Sequence, residues 1–405
     1  MTAGRRGYVR RVRRDGAGLW KGARPLLTWL DLELTERCNN DCIHCSINRP
    51  AGDVEAKRLE LGTAGVMALL ESAAALGCLT VRLTGGEPLL RDDFEAIYLH
   101  ARKLGLRTMV FTNASLVTPE IADLFARVPP RELIEVSIYG LRPETHDAVT
   151  RAPGSYAAAR RGLDLLAARR VPFFIKGAHL PVNAREKASF ERWACGVSGQ
   201  DRAAWAMFLD LRSRRDDGKN DSIRALRVAP EEVRRSTAAL PAPERDDLLR
   251  FVAEHAGLQG DRLFSCLAAG GKGAVDAYGT FQYCLPLRHP DTVFDLKTGT
   301  LRAAVTDHVP AVRAMKTRDP EYLRRCGRCF LKALCLQCPA KSWAEHGTLD
   351  TPVDYLCEVT HAQAAGLGLL AEGEKAWDIE DWADRVARIS AAGPDGRRPD
   401  RECIS

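Results

Sequence analysis

Three cysteines within eight residues, Cys38-x3-Cys42-x2-Cys45, carry the first chemistry of this 405-residue chain. Thiolates are soft ligands that suit zinc and iron. A structural zinc site takes four ligands, usually as two separated pairs. Here the only local fourth ligand is His44, and four ligands so close would be strained. Three thiolates on a four-iron cubane instead leave one iron open, and an open iron can take a small chelating ligand. A second group, Thr84-Gly85-Gly86-Glu87-Pro88, supplies what such a ligand needs. Adjacent glycines let backbone approach closely, and Glu87 offers a carboxylate to an ammonium group; alone, the same residues would make an ordinary strand-to-helix turn. Seven cysteines come late: Cys266, Cys284, Cys326, Cys329, Cys335, Cys338 and Cys357. Cys326-x2-Cys329 and Cys335-x2-Cys338 have zinc-ribbon spacing, yet seven thiols do not divide into four-ligand sites. Cys78, Cys195 and Cys403 stand alone and read as small buried hydrophobes or idle thiols.

Runs at 25–34, 79–83, 107–112, 133–139, 172–178 and 204–211 have strand character, the first read as a continuous apolar strand. Helical patterns fall between them at 63–76, 92–103, 119–126, 156–169 and 184–193. This alternation predicts six βα units around a parallel sheet, two short of a full barrel. The first cysteine loop then follows strand one and residues 84–88 follow strand two, at the carboxyl ends where barrel chemistry sits. Residues 212–227 are charged and irregular. Helices follow Pro230 and the Pro241/Pro243 break. From about Phe264, Gly and Cys rise and the chain reads as a small metal-stapled module, with one or two helices and a polar tail after His361.

Composition bounds the class. Hydrophobic residues are 45% and charged residues 28%, ordinary for a globular protein with a sizeable core. No run approaches ~20 apolar residues, so no membrane-spanning helix is predicted, and no secretory signal pattern opens the chain. The net charge of +6 resides in the first thirty residues, which hold Arg5, Arg6, Arg10, Arg11, Arg13, Arg14, Lys21 and Arg24 against Asp15. The body is near neutral, so nucleic-acid binding is not indicated. Clustered thiols fit a reducing cytoplasm.

Together these motifs resemble the radical S-adenosylmethionine (SAM) superfamily, from residue 30 to about 235. The resemblance implies an α/β fold, a partial (β/α)6 TIM-type barrel. In it Cys38, Cys42 and Cys45 hold a [4Fe–4S] cluster whose open iron is chelated by the SAM amine and carboxylate. Thr84, Gly85, Gly86 and Glu87 match the element that holds the methionine amine. Asn113 and Ser137, ending strands three and four, match SAM contacts, Ser137 at the ribose; Arg151 matches a residue that pairs with the SAM carboxylate. His44 stands where the family usually has an aromatic residue packed near adenine.

The late cysteines resemble the SPASM extension, a C-terminal iron–sulfur domain of peptide and protein maturases. That implies one or two auxiliary [4Fe–4S] clusters. Cys326, Cys329, Cys335 and Cys357 would hold one, and Cys266, Cys284 and Cys338 the other. Only Leu336 and Gln337 separate the last clustered pair, where relatives have three residues. The expected organisation is a basic arm (1–29), the barrel (30–235), a helical linker (236–262), the cysteine-rich domain (263–360) and a C-terminal helix and tail (361–405).

The implied activity is reductive cleavage of SAM to a 5′-deoxyadenosyl radical, which oxidatively modifies, by crosslinking, a ribosomally made peptide or small protein. The implied partners are that substrate, a flavodoxin- or ferredoxin-type electron donor and a separate leader-binding protein. Three alternatives stay open: formylglycine formation as in sulfatase maturases, a small-molecule substrate, and a zinc-stapled adaptor without catalysis. Sulfatase maturases carry Asp directly after the cysteine matching Cys284, where this chain has Leu285. Arg212, Arg214, Arg215 and Arg224 are candidates to hold substrate carboxylates, unless Asp216, Asp217 and Asp221 neutralise them. No residue stands out as catalytic acid or base.

Overall fold

Strand β1, Trp29–Thr35, reads WLDLELT, and its side chains alternate between two faces. Leu30, Leu32 and Leu34 are buried on one face, and Asp31, Glu33 and Thr35 are buried on the other. The expected continuous apolar strand at 25–34 is therefore corrected: it begins at Trp29, and one face is charged. Both faces are covered because β1 lies inside a sheet. The structure is a computed structural model and describes residues 27–45, 49–200, 204–206, 211, 217–264 and 271–391.

The next five strands follow β1 in spatial order, every neighbour parallel: β2 (Thr80–Gly85), β3 (Arg107–Thr112), β4 (Ile134–Ser137), β5 (Phe173–Ala178) and β6 (Ala204–Ala206). Between them run helices Thr63–Ala75, Phe94–Lys103, Pro119–Arg127, Ser155–Ala168 and Lys187–Ser198. This is the six-unit partial barrel the alternation predicts. Two short helices, Val54–Leu59 and Pro143–Thr150, were not anticipated.

The outward faces of the strands build the core. Leu32, Leu83, Val110, Val136 and Ile175 pack with Phe94, Ile97, Leu163 and Phe190 from the helices. The inward face is polar. Arg82 Nη2 lies 2.5 Å from Asp31 Oδ2 and its guanidinium 4.6 Å over the Phe111 ring. Lys176 Nζ sits over the same ring and pairs with Glu135 at 3.1 Å. Burial pulls the Lys176 ammonium down to about 8 against the opposing pull of Glu135.

On its other edge β1 pairs in parallel with β7, Lys272–Val275. Strands β8 (Thr280–Gln282) and β9 (Val293–Asp295) continue antiparallel, giving a nine-stranded sheet in the order β9-β8-β7-β1-β2-β3-β4-β5-β6. The cysteine-rich region thus begins as an extension of the barrel sheet. Beyond it, Cys338 caps helix Pro339–His346 and Cys357 lies in helix Asp354–Leu367. A second apolar cluster, including Val252, Phe330, Leu331, Leu334, Leu367 and Leu370, lies beneath them. Among the described residues no helix is long and apolar enough to cross a membrane.

Gly162, mid-helix in Ser155–Ala168, shows how tightly a crossover helix docks. A Cβ there would lie 2.1 Å from the Ala114 carbonyl oxygen, just after β3. Gly162→Ala gains about 1 kcal/mol of helix propensity, but overpacking against backbone costs about 1–3 kcal/mol. The variant is therefore expected to unfold at lower urea concentration. A raised midpoint would show that the Ala114 turn yields freely.

Candidate functional site

Four strand ends meet where β1 leaves the sheet. A register shift between Glu33 and Thr35 turns the chain into the first cysteine loop. Arg37–Cys38 then pairs with Arg49–Pro50 across the base of that loop. Arg37 fixes this return by a bidentate ion pair to Glu60 at 2.9 and 3.2 Å, and donates to the Ala51 carbonyl. Gly85 and Gly86 end β2 directly against it. A Cβ on Gly85, whose φ is 133°, would lie 2.1 Å from Thr35 O, and one on Gly86 2.2 Å from Arg37 O. Gly86 N donates to Thr35 O and Glu87 N to Arg37 O. Only glycine permits this approach.

The Glu87 side chain has no exposure. Its carboxylate accepts from Leu89 N (3.1 Å), Thr112 Oγ1 (2.8 Å) and Asn113 N (2.7 Å). All three donors come from the protein, so Glu87 ties the end of β2 to the end of β3. Burial raises its pKa to about 7 in spite of them. Thr84 is buried on β2, opposite Glu33.

Asn113 faces the cysteine loop. Its Nδ2 donates to Asn39 Oδ1 at 2.9 Å and lies 3.9 Å from Cys38 Sγ, and its Oδ1 accepts from Ser115. Cys38 Sγ also accepts from Asn40 N at 3.4 Å. Ser137 ends β4, half-buried, in register with Lys176. Arg151, the left-handed C-cap of Pro143–Thr150 with φ 50°, lies on the far side of the loop. It pairs with Asp41 at 2.5 Å and donates to the Asp41 carbonyl. The residue expected to meet a ligand carboxylate thus also meets a carboxylate of the cysteine loop. Lys219 Nζ meets the other Asp41 oxygen at 3.1 Å, and Asp41 N and Ile43 N donate to Thr150 O and Val149 O. The cysteine loop is thus clamped from two elements.

Burial, then the Glu87 charge, pushes the Cys38 thiol up to about 12. Cys42 rises through burial and then through Cys45 and Cys38, so the three thiols sit within electrostatic reach. Among the described residues no three His, Cys, Asp or Glu side chains stand ready-made as a metal site. The donor set itself fits an iron–sulfur cluster: three thiols on one clamped loop, with N–H groups at the Cys38 sulfur. His44 fits a fourth ligand less well. Its ring packs edge-on to Tyr139 at 4.8 Å, and burial lowers it to about 4. Its Nδ1 is buried with no partner among the described residues.

The late cysteines converge on a cavity of about 360 Å³. Cys326, Cys329, Cys335 and Cys357 line it, as expected for one auxiliary cluster. Cys338 lines it too, as the N-cap of Pro339–His346, and so stands with those four rather than apart from them. Cys284 is half-buried and, like Cys326 and Cys338, packs against the main core. Cys266 lies outside the described residues. Burial, then the neighbouring thiols, pushes Cys326 up to about 12. A cavity lined by five thiols fits an iron–sulfur cluster. Sequence reasoning missed two further lining residues, Arg325 and His361. The second was legible as Cys357-x3-His361, one helical turn apart.

Arg212, Arg214, Arg215 and Asp216 lie outside the described residues. Arg224 pairs with Asp221, one of the neutralising acids named as the alternative, and at 3.5 Å with Glu345.

Residues 32–187 match the Radical SAM superfamily. The chain is 28% identical to an AdoMet-dependent heme synthase of Methanosarcina barkeri over 350 residues, 82% of this chain and 94% of the relative. It is 33% identical to a PqqA peptide cyclase of Xanthomonas oryzae pv. oryzae over 144 residues, 36% of this chain and 38% of that one. The solved structure of anSMEcpe with bound AdoMet and Cp18Cys peptide has the same fold. It superposes with a TM-score of 0.60 at 14% identity, covering 91% of this chain and 99% of that one.

The Glu87 clamp has a measurable consequence. In Glu87→Gln the amide NH2 must face an N–H donor, and an unpaired buried donor costs about 1–3 kcal/mol. The urea midpoint falls, and SAM binds more weakly through a displaced Asn113. Glu87 is raised in the fold from 4.5 to about 7. The wild-type contribution is therefore fully present below 4.5 and is lost as pH rises through 7. The variant lacks this slope. Equal stability, pH profile and SAM affinity in both proteins would remove Glu87 from the site.

Proposed function

The chain belongs to the radical SAM superfamily, and from that premise we propose that it oxidatively modifies a peptide or small protein. It is an enzyme whose cofactors are SAM and a [4Fe–4S] cluster. When bound, they supply a 5′-deoxyadenosyl radical that abstracts a substrate hydrogen. The chain's own residues do the positioning. Cys38, Cys42 and Cys45 hold the cluster. The backbone of Thr84, Gly85 and Gly86 offers the methionine end of SAM a surface without side chains. Asn113 and Ser137 face the same strand ends, and Glu87 and Arg151 hold the surrounding loops in place. Cys326, Cys329, Cys335 and Cys357 hold an auxiliary cluster, with Cys338 on the same wall and Cys266 and Cys284 in reserve for a second.

The observation that carries the peptide reading is the thiol-lined cavity in the region that follows the extension of the barrel sheet. The fold is shared with anSMEcpe, solved with AdoMet and a peptide. The match to a PqqA peptide cyclase across the barrel supports it. An external flavodoxin- or ferredoxin-type donor, a separate leader-binding protein and a reducing, cytoplasmic setting belong to the same reading. A second reading is favoured by the near full-length match to a heme synthase: a tetrapyrrole substrate, with the same SAM chemistry.

Anaerobically reconstituted protein should cleave SAM to 5′-deoxyadenosine. The combined Cys38→Ala, Cys42→Ala, Cys45→Ala variant should lose that activity and about four iron atoms while keeping the rest. Cleavage retained without these cysteines sinks the assignment. Adding an iron porphyrin separates the two substrate readings. An unperturbed Soret band is expected, and a band shifted stoichiometrically by the protein would turn the proposal to the tetrapyrrole.

A further inference from the structure

The thiol-lined cavity carries two nitrogen groups beside Cys357. Arg325 follows the helix Pro320–Arg324 and precedes Cys326. Its side chain is 15% exposed, and its Nη1 donates to Asp354 Oδ1 at 2.9 Å and Glu321 Oε1 at 3.3 Å. Those carboxylates are 76% and 46% exposed, so water screens them and the cation keeps most of its field inside the cavity. The Trp377 ring lies 5.1 Å from the guanidinium, which also reaches the Cys357 thiol. The Arg325 Nε–H is buried with no acceptor among the described residues. A buried donor left unmatched is costly, and a cavity for sulfur ligands is where its acceptor would come from.

His361 lies one turn beyond Cys357 on Asp354–Leu367. Its Nε2 is 3.1 Å from Ala376 N. Because a backbone N–H can only donate, Nε2 must be the acceptor, and the ring proton is assigned to Nδ1. That Nδ1–H donates to Cys357 O at 2.8 Å and lies 3.6 Å from Cys357 Sγ. Trp377 packs edge-on to the ring at 5.1 Å, so one indole braces both groups. The segment that supplies Ala376 and Trp377 reads in sequence as a mere tail.

We propose that Arg325 and His361 are positioning residues for the auxiliary cluster, placing one cation and one N–H donor on its Cys357 side and thereby raising its reduction potential. The inference rests on the iron–sulfur reading above. A reduced cluster carries one more negative charge than its oxidised form. A fixed cation and N–H donors on sulfur therefore stabilise the reduced form more. Such a site is biased toward accepting an electron.

The test uses the full chain with Cys38, Cys42 and Cys45 replaced by Ala, so that only auxiliary iron reports, in a dye-mediated redox titration followed by electron paramagnetic resonance. At fixed potential, Arg325→Met should lower the reduced-to-oxidised ratio about tenfold, equivalent to about 59 mV for a one-electron couple. Arg325→Lys, which keeps the charge, should recover part of it. His361→Phe should lower the ratio by a smaller factor, while His361→Asn, which keeps a donor near the Nδ1 position, should not. The His361 pair keeps the test decisive if an Arg325 variant fails to fold. Intact iron content and unchanged potentials in both Arg325→Met and His361→Phe overturn the proposal. Absence of iron from the parent protein overturns the iron–sulfur reading itself, and the proposal with it.

Discussion

The arrangement depends on one buried carboxylate at the strand ends. Glu87 meets Leu89 N, Thr112 Oγ1 and Asn113 N with no water contact. Burying such a group is unfavourable unless donors replace its hydration, so its three donors must keep their places together. Those donors belong to the turn after β2 and to the end of β3. The residues just before it, Gly85 and Gly86, are pressed onto Thr35 and Arg37 of the cysteine loop. One ionisable group thereby fixes the separation of three chain segments that must surround a single ligand.

The same logic, inverted, governs the cysteines. Burial and mutual repulsion raise Cys38, Cys42 and Cys326, so the bare protein stores thiols that resist ionisation. Iron reverses the balance, because metal charge favours thiolate. The loop around Cys42 is accordingly braced by charges outside the thiol cluster: Asp41 with Arg151 and Lys219. Such bracing leaves the sulfurs to the metal while limiting the freedom of the loop that carries them.

Much of this was legible in the sequence. The strand–helix alternation gave five crossover helices and six strands at nearly the right residues, because buried parallel strands and amphipathic helices write different periods. Cysteine spacing found both thiol groups. What escaped were facts that need a partner. Asp31 and Glu33 look like interruptions of an apolar run until Arg82 and Arg288 are placed across from them. Helix Pro143–Thr150 is short and holds two threonines, poor helix formers, and packing maintains it. At Glu87 the sequence shows an acid beside glycines and not the three protein donors that meet it. Arg151 looks like a free cation because its carboxylate, Asp41, is 110 residues away in the chain.

Strand β1 finally explains how two distant cysteine groups share one frame. One edge of β1 pairs with β2, which ends in Gly85, and the other pairs with β7, from which the cysteine-rich region grows. Its own end becomes the first cysteine loop. The charged inner face seals the joint: Glu33, 1% exposed, and Asp276, 5% exposed, both pair with Arg288 at 3.0 and 3.1 Å. A buried guanidinium between two buried carboxylates is favourable only while all three stay in register, since losing one partner strands a charge. The hairpin therefore cannot slide or hinge against the barrel without breaking that triad. Two flexibly linked domains would allow the distance between the thiol groups to vary. A single sheet locked by a charged inner face instead fixes the root of the cysteine-rich region against the first cysteine loop.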